Sequence, residues 1–402
     1  MKELHVVLET VTPMFLAGAE ARGAPELRPP AFRGALRYWL RAAVGGLIGD
    51  DPNAVKQVES AVFGSAGEDG SGSSTIIVRT RPENLKGSKA YDKDAMGKAE
   101  KINKDGRDVL QASGRNYLYW SLAEFSKTKS SNYIPEGSTF SLTLTPRYGA
   151  KDLDIAQDRS AAALWLMLHL GGIGSRSRRT AGSLSVREAV SVNGLNFQLR
   201  GKTEKEIANE LQTGLTAIFA MMHVPGGGTH RIPPAFDVLA ANQELSRIWV
   251  LGIWDDVMGL TGAVEKVGYP LGFYRTYRSP DHEKVAQWLN GNAIATVERA
   301  AFGLPIPYKY SHHGPSGTIQ GRPFDPAIER RASPLWLKIS KTAAGKYVAI
   351  ATLFKSSFLP AGEELYATKT PGNPKPVKPP PNYQIIEDWV NTSFKKSVVE
   401  VI

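Results

Sequence analysis

Gly171-Gly-Ile-Gly-Ser-Arg-Ser-Arg-Arg-Thr-Ala-Gly-Ser183 follows the apolar run Ala161-Ala-Ala-Leu-Trp-Leu-Met-Leu-His-Leu170 and precedes the strand-like Leu184-Ser-Val-Arg-Glu-Ala189. The order predicted is helix, glycine loop, strand. Gly171, Gly172 and Gly174 let backbone amides approach a ligand, because no side chain intervenes and positive φ is cheap. Arg176, Arg178 and Arg179 add three permanent charges whose guanidinium forks match phosphate oxygens. No lysine lies in the stretch, so it is not a Walker loop. The dinucleotide fingerprint runs strand, loop, helix, the reverse of this order. The plainer alternative is a helix C-cap followed by an exposed basic turn.

The 402 residues predict two to three domains. Lysine and arginine number 49 against 39 acids, a net charge of +10, which favours an acidic partner such as nucleic acid or an anionic membrane face. No apolar run reaches a membrane-spanning length and strand patterning begins at once, so the expectation is a cytoplasmic protein with no membrane partner. The absence of cysteine excludes disulfides, thiol catalysis and cysteine-ligated zinc. The histidines, His5, His169, His223, His230, His282, His312 and His313, form no metal-binding pair, and neither a metal nor a cofactor is expected.

Leu4, Val6 and Leu8 alternate as in a half-buried strand. After Arg28-Pro29-Pro30, Phe32, Leu36, Trp39, Leu40, Ala43, Val44 and Leu47 recur at helical spacing. Arg33, Arg37 and Arg41 align on another face at i, i+4 and i+8, a row suited to successive phosphates or else a solvated basic face. A second helix is predicted to end at Val62-Phe63-Gly64, and Ser74–Thr80 reads as a strand. Residues 86–116 are lysine-rich with few apolar positions and read as a mobile insertion. Ser138–Thr145 restores alternation. The sum to residue 189 is β-α-β-β-α-β, the ferredoxin-like or RNA-recognition arrangement.

Residues 203–223 predict another helix, followed by the glycine-rich Pro225–Pro234 loop carrying His230 and Arg231. The second half then repeats the first. Ser246–Leu251 opens it, helical segments occupy 281–302, and Leu335–Ile339 and Tyr347–Leu353 form a hairpin. Ala301-Phe302-Gly303 echoes Val62-Phe63-Gly64. Six prolines between 371 and 381 read as a polyproline-II spacer, before a helix at 385–394 and a strand at 398–402. The expected fold class is α+β, with two ferredoxin-like domains in tandem, 1–200 and 201–402.

Duplicated ferredoxin-like units, the glycine loop and Arg28-Pro-Pro-Ala-Phe-Arg-Gly-Ala-Leu-Arg-Tyr-Trp-Leu-Arg41 together resemble the RAMP superfamily of CRISPR proteins. The arginine helix looks closest to subunit one of the type III-B (Cmr) effector, and Arg330-Arg-Ala-Ser-Pro-Leu-Trp-Leu-Lys338 is similar to that family's second half. The chain departs from the pattern at Thr180-Ala181, where a further glycine is usual. The resemblance implies a non-catalytic RNA-binding subunit at the head of a ribonucleoprotein, near the 3′ end of the guide (CRISPR) RNA. Its partners would be guide RNA, target RNA and other RAMP subunits. Site residues on this reading are Arg28, Arg33, Arg37, Arg41, Gly171, Gly172, Gly174, Arg176, Arg178 and Arg179.

Two other readings stand beside it. A metal-independent, guide-processing endoribonuclease would draw its acid and base from His5, His230 or the His312-His313 pair; a metal-dependent variant would use Asp50-Asp51. A scaffold subunit would turn its basic face to acidic proteins. For the RNA-binding reading, strands one and four are expected not to be neighbours, while the arginine helix and the loop border one groove. The Ala31 amides would add a dipole for phosphate. Contact with five or six phosphates predicts a salt slope of about −4.

Overall fold

A computed structural model of the chain describes residues 3–65, 72–104, 107–123, 129–255, 259–278, 281–309, 315–380 and 382–402. The first half runs β1 (Leu4–Thr10), α1 (Pro29–Ile48), α2 (Pro52–Phe63), β2 (Ile76–Asn84), α3 (Gly114–Tyr119), β3 (Thr139–Pro146), α4 (Leu153–Leu170) and β4 (Leu184–Val186). Its sheet has the order β2-β3-β1-β4, every pair antiparallel. Strands one and four are therefore direct neighbours, Leu8 opposite Val186 and Thr10 opposite Leu184, contrary to the expectation. The glycine loop thus delivers β4 to the side of β1.

The alternation read in β1 holds: Leu4, Val6 and Leu8 are buried together with Phe140, Leu142 and Leu144 of β3. Helix α1 buries Phe32, Leu36, Trp39, Leu40, Ala43 and Val44. Helix α4 is buried almost all round, from Ser160 to Leu170. A helix needs such a composition where it has no solvent face, as over this part of α4, which meets α1, β3 and β4 as well as strands of the second half.

The second half runs α5 (Glu204–Met221), β5 (Ser246–Trp254), α6 (Gly259–Phe273), α7 (Asp281–Leu289), β6 (Ile306–Lys309), β7 (Ser316–Gln320), β8 (Leu335–Lys341), β9 (Tyr347–Phe354), β10 (Leu365–Thr370), β11 (Lys375–Val377), α8 (Gln384–Ser393) and β12 (Val399–Glu400). Its larger sheet has the order β8-β9-β5-β12, again antiparallel throughout. Both sheets thus carry the order second-third-first-fourth. The hairpin read at 335–353 is β8–β9. A smaller sheet, β6-β7-β10-β11, was not anticipated.

The helical segments read at 281–302 are α7 and a 3-10 turn at Glu298–Phe302, but the helix that directly follows β5, α6 at Gly259–Phe273, was not anticipated. Two readings change. The proline stretch is no free spacer, because β11 within it pairs with β10. The 86–116 segment holds a hairpin, Glu100–Lys104 with Arg107–Gln111, and the start of α3, which packs on α6. Gly114 and Gly268 make that approach possible: a Cβ on Gly268 would overlap Gly114's backbone. The Glu265 carboxylate accepts from the Gly114 and Arg115 amides, capping α3.

Residues of both sheets share one core, in which Trp39, Leu164 and Leu184 join Ile248, Trp336, Val348 and Phe354. No helix among the described residues is long and apolar enough to cross a membrane.

Candidate nucleic-acid interface

The arginine row on α1 faces α2. Glu59 of α2 pairs with Arg37 at 3.2 Å and with Arg41 at 3.0 Å, and Arg37 also donates to the carbonyls of Phe63 and Gly64. One carboxylate is thus shared by two guanidiniums. Arg33 and Arg28 are exposed, and the Arg28 guanidinium lies 3.5 Å from the Gly18 carbonyl. Arg33 and Arg37 line an open pocket of about 480 Å³ with Pro30, Gly64, Ser65 and Ser74. Arg147, anchored by its Nε to the Ser74 carbonyl at 2.8 Å, shares a neighbouring pocket with Arg33. The helix start adds little to this charge. Prolines occupy its first two positions and carry no N–H, while the Ala31 amide donates to the Arg28 carbonyl at 3.0 Å. The expected phosphate site at the Ala31 amides is not formed.

The glycine loop turns elsewhere, toward the second sheet. The Thr180 amide donates to the Leu337 carbonyl at 2.9 Å, Arg178 donates to the Ser333 carbonyl, and Arg179 Nη2 donates to the Phe302 carbonyl at 3.1 Å. The Arg178 guanidinium lies 4.8 Å over the Trp336 ring and 5.4 Å over Tyr38, and pairs with Asp237 at 3.5 Å. Trp336 Nε1 donates to Tyr38 Oη at 3.0 Å, and Tyr38 Oη donates to Asp237 at 2.8 Å. Burial, then Asp237, raises the Tyr38 hydroxyl well above its usual range. The sequence motifs around Tyr38 and Trp336 therefore meet, and Arg178 is stacked at their junction.

This changes how the loop is read. Gly171 and Gly172 are buried, and a Cβ on Gly171 would overlap the Trp39 indole. These glycines permit close packing of the chain on itself. Thr180 adopts φ 71°, the left-handed region that β-branched residues avoid, which is where the sequence lacked its further glycine. Its hydroxyl bonds Tyr119 at 2.6 Å and its carbonyl accepts from Thr12 at 2.6 Å. Arg37 pairs with Glu59 of α2, whereas Arg178 stacks on Tyr38 and Trp336. Tyr38, which carries Arg178, lies about 100° around α1 from Arg37. Nor is Arg178 free of the apolar packing, so its removal would disturb the joint between the halves.

Among the described residues the nuclease candidates lie on separate elements. His5 bonds Thr143 Oγ1 at 3.1 Å on the outer face of β1; His230 bonds the Gly45 carbonyl at 2.8 Å. His312 and His313 lie outside the described residues. Asp50 is held by Arg231 and the Ala235 amide. Burial pushes its pKa up, but those hydrogen bonds outweigh burial and lower it. Asp51 caps α2 by accepting from the Asn53 amide at 2.9 Å. Among the described residues no three histidine or acidic side chains are grouped to hold a metal. His169 is buried and stacked on Trp165, a packed histidine.

A family model, the RAMP superfamily, matches residues 7–185. The Cmr subunit Cmr1-2 of Pyrococcus furiosus is 32% identical over 197 residues, which cover 46% of this chain and 96% of that protein. This chain belongs to the Cmr1 branch of the RAMP superfamily. A second P. furiosus protein, the CRISPR system Cmr subunit Cmr1-1, is 24% identical over 357 residues, 88% of each chain. The crystal structure of P. furiosus Cmr1 in its apo form matches with a TM-score of 0.57 at 20% identity, covering 100% and 99% of the two chains. A chain of the type III-B Cmr-beta complex bound to cognate target RNA and AMPPnP, in the presence of ssDNA, matches with a TM-score of 0.52 at 13% identity over 97% and 98%. Both structures share the fold. In this RAMP protein the residues that carried the resemblance divide between two tasks: Tyr38, Trp39, Arg178 and Trp336 join the halves, while Arg28 and Arg33 remain turned outward.

Proposed function

We propose that this RAMP protein is a non-catalytic, RNA-binding subunit of a type III-B CRISPR RNA-guided effector. It would sit at the head end near the 3′ end of the guide RNA and help engage target RNA beside other RAMP subunits. The two sheets that share a strand order, β2-β3-β1-β4 and β8-β9-β5-β12, would be the centres of two tandem ferredoxin-like domains, 1–200 and 201–402. The observation that carries the functional reading is the similarity to Cmr1 subunits over most of the chain. The excess of positive charge and the exposed arginines at the start of α1 support it. Guide pairing supplies sequence specificity in RNA-guided assemblies, leaving the protein to read backbone and shape. Arg28, Arg33, Arg37 and Arg41 would meet phosphates from α1, and the loop arginines from the joint.

The test is binding of labelled single-stranded RNA to the full chain, followed by gel analysis of that RNA. Bound, intact RNA is expected. Arg33→Ala should weaken binding about three- to tenfold, the range for one charge-assisted contact at a partly exposed site, with unchanged melting. Cleaved RNA would establish the endoribonuclease, and absence of binding the scaffold.

A further inference from the structure

Three guanidiniums converge at the joint, and among the described residues no carboxylate pairs with any of them. Arg176 Nε donates to Ser121 Oγ at 2.9 Å. Arg275, in the turn after α6, lies 5.8 Å over the Tyr117 ring and 5.1 Å over the Phe302 ring. Arg179 donates to the carbonyl of that same Phe302. Tyr117 and Ser121 stand about one helical turn apart, so the contacts close into a ring: Arg179, Phe302, Arg275, Tyr117, Ser121, Arg176. Arg179 is 9% exposed, and neither its Nη1 nor Arg275 Nε has a hydrogen-bond partner among the described residues.

The neighbouring arginines differ in having acids at hand: Arg178 pairs with Asp237, and Arg299 lies near Asp281. Among the described residues the three converging guanidiniums have none. Burial depresses all three, Arg179 to about 9, and repulsion by Arg275 adds to the fall at Arg176 and Arg179. Like charges held together away from bulk water oppose one another until an anion neutralises them. The planar donor forks suit phosphate oxygens.

We propose that Arg176, Arg179 and Arg275 form a phosphate-binding site, built jointly by the glycine loop, the α3 segment and the second half, which takes a backbone phosphate of bound RNA. This rests on the RNA-binding reading. It adds Arg275, whose place beside the loop no spacing in the sequence discloses.

The experiment uses the full chain, Arg275→Met and Arg275→Lys, with inorganic phosphate and a ten-nucleotide single-stranded RNA as probes. At constant ionic strength, 20 mM phosphate should raise the parent's melting temperature by about 2–4 °C. Arg275→Met should show no shift and Arg275→Lys part of it. Without phosphate, Arg275→Met should melt no lower than the parent, since one of three repelling charges is gone. Its RNA affinity should fall about tenfold, with the salt slope reduced by about 0.7. Equal phosphate shifts in parent and Arg275→Met, or a shift in neither, would overturn the site. So would RNA binding by the parent that Arg275→Met retains in full. If phosphate stabilises the parent alone while the parent binds no RNA, the site stands for free phosphate and the RNA reading falls.

Discussion

Gly182→Ala is expected to destabilise the protein by about 4 kcal/mol or to prevent its folding. Gly182 has φ 62°, where an L-residue costs about 1–2 kcal/mol, and its Cβ would overlap the Ile173 carbonyl oxygen. Neither group has room to yield: the Ile173 amide donates to the Gly182 carbonyl at 3.0 Å, and the Gly182 amide donates to the Pro13 carbonyl at 2.9 Å. This neck holds the loop that places β4 beside β1 and carries Thr180 to β8. Gly34→Ala is the control. Gly34 lies inside α1 with open space at its Cβ position, so alanine should stabilise by about 0.5–1 kcal/mol. Urea unfolding of both variants measures the contrast, and a small loss at Gly182 would show that the neck can relax.

The second large effect concerns Lys338 of β8. It is 1% exposed, and its Nζ donates to the Leu184 carbonyl at 2.7 Å, across the joint. Burial lowers its pKa from 10.5 to about 7. The unfolded chain therefore binds a proton that the folded chain lacks between about pH 7 and 10.5. Stability from this group is full above the unfolded value and is lost as pH falls toward 7. Lys338→Met removes that dependence. The stability difference between variant and parent should change by an amount on the order of 3 kcal/mol between pH 7 and 10, with the variant favoured at the lower pH. The orphaned Leu184 carbonyl offsets part of the gain. Parallel pH profiles for the two proteins would show that the lysine keeps its charge when buried.

Much of this arrangement is legible in the sequence because it is periodic. Val6, Phe140 and Leu142 announce their strands by alternation, and Phe32, Leu36 and Trp39 announce α1. Helix α6 escapes because four glycines and Pro270 break its helical signature, and its reason for existing lies in the close approach to Gly114. The 86–116 segment looks unstructured because its order depends on a distant partner, Glu265, rather than on a local pattern. At the site, residue types are legible but their partners are not. Three arginines beside three glycines suggest a phosphate cradle, yet Trp39 fills the space at Gly171 and Trp336 lies under Arg178. Likewise the row of Arg33, Arg37 and Arg41 is visible at helical spacing, whereas the sharing of Glu59 is a tertiary fact. Arg275 stands about a hundred residues beyond the loop and carries no motif.

Because Glu59 and Asp237 already neutralise part of this charge, about four phosphate contacts are expected rather than five or six. The most direct test of RNA-backbone binding is the affinity of the full chain for single-stranded RNA across a salt series. A slope of log K against log salt of about −3 is predicted, nearly the same for unrelated sequences and with the RNA recovered intact. A slope near zero, or binding confined to one sequence, would contradict it.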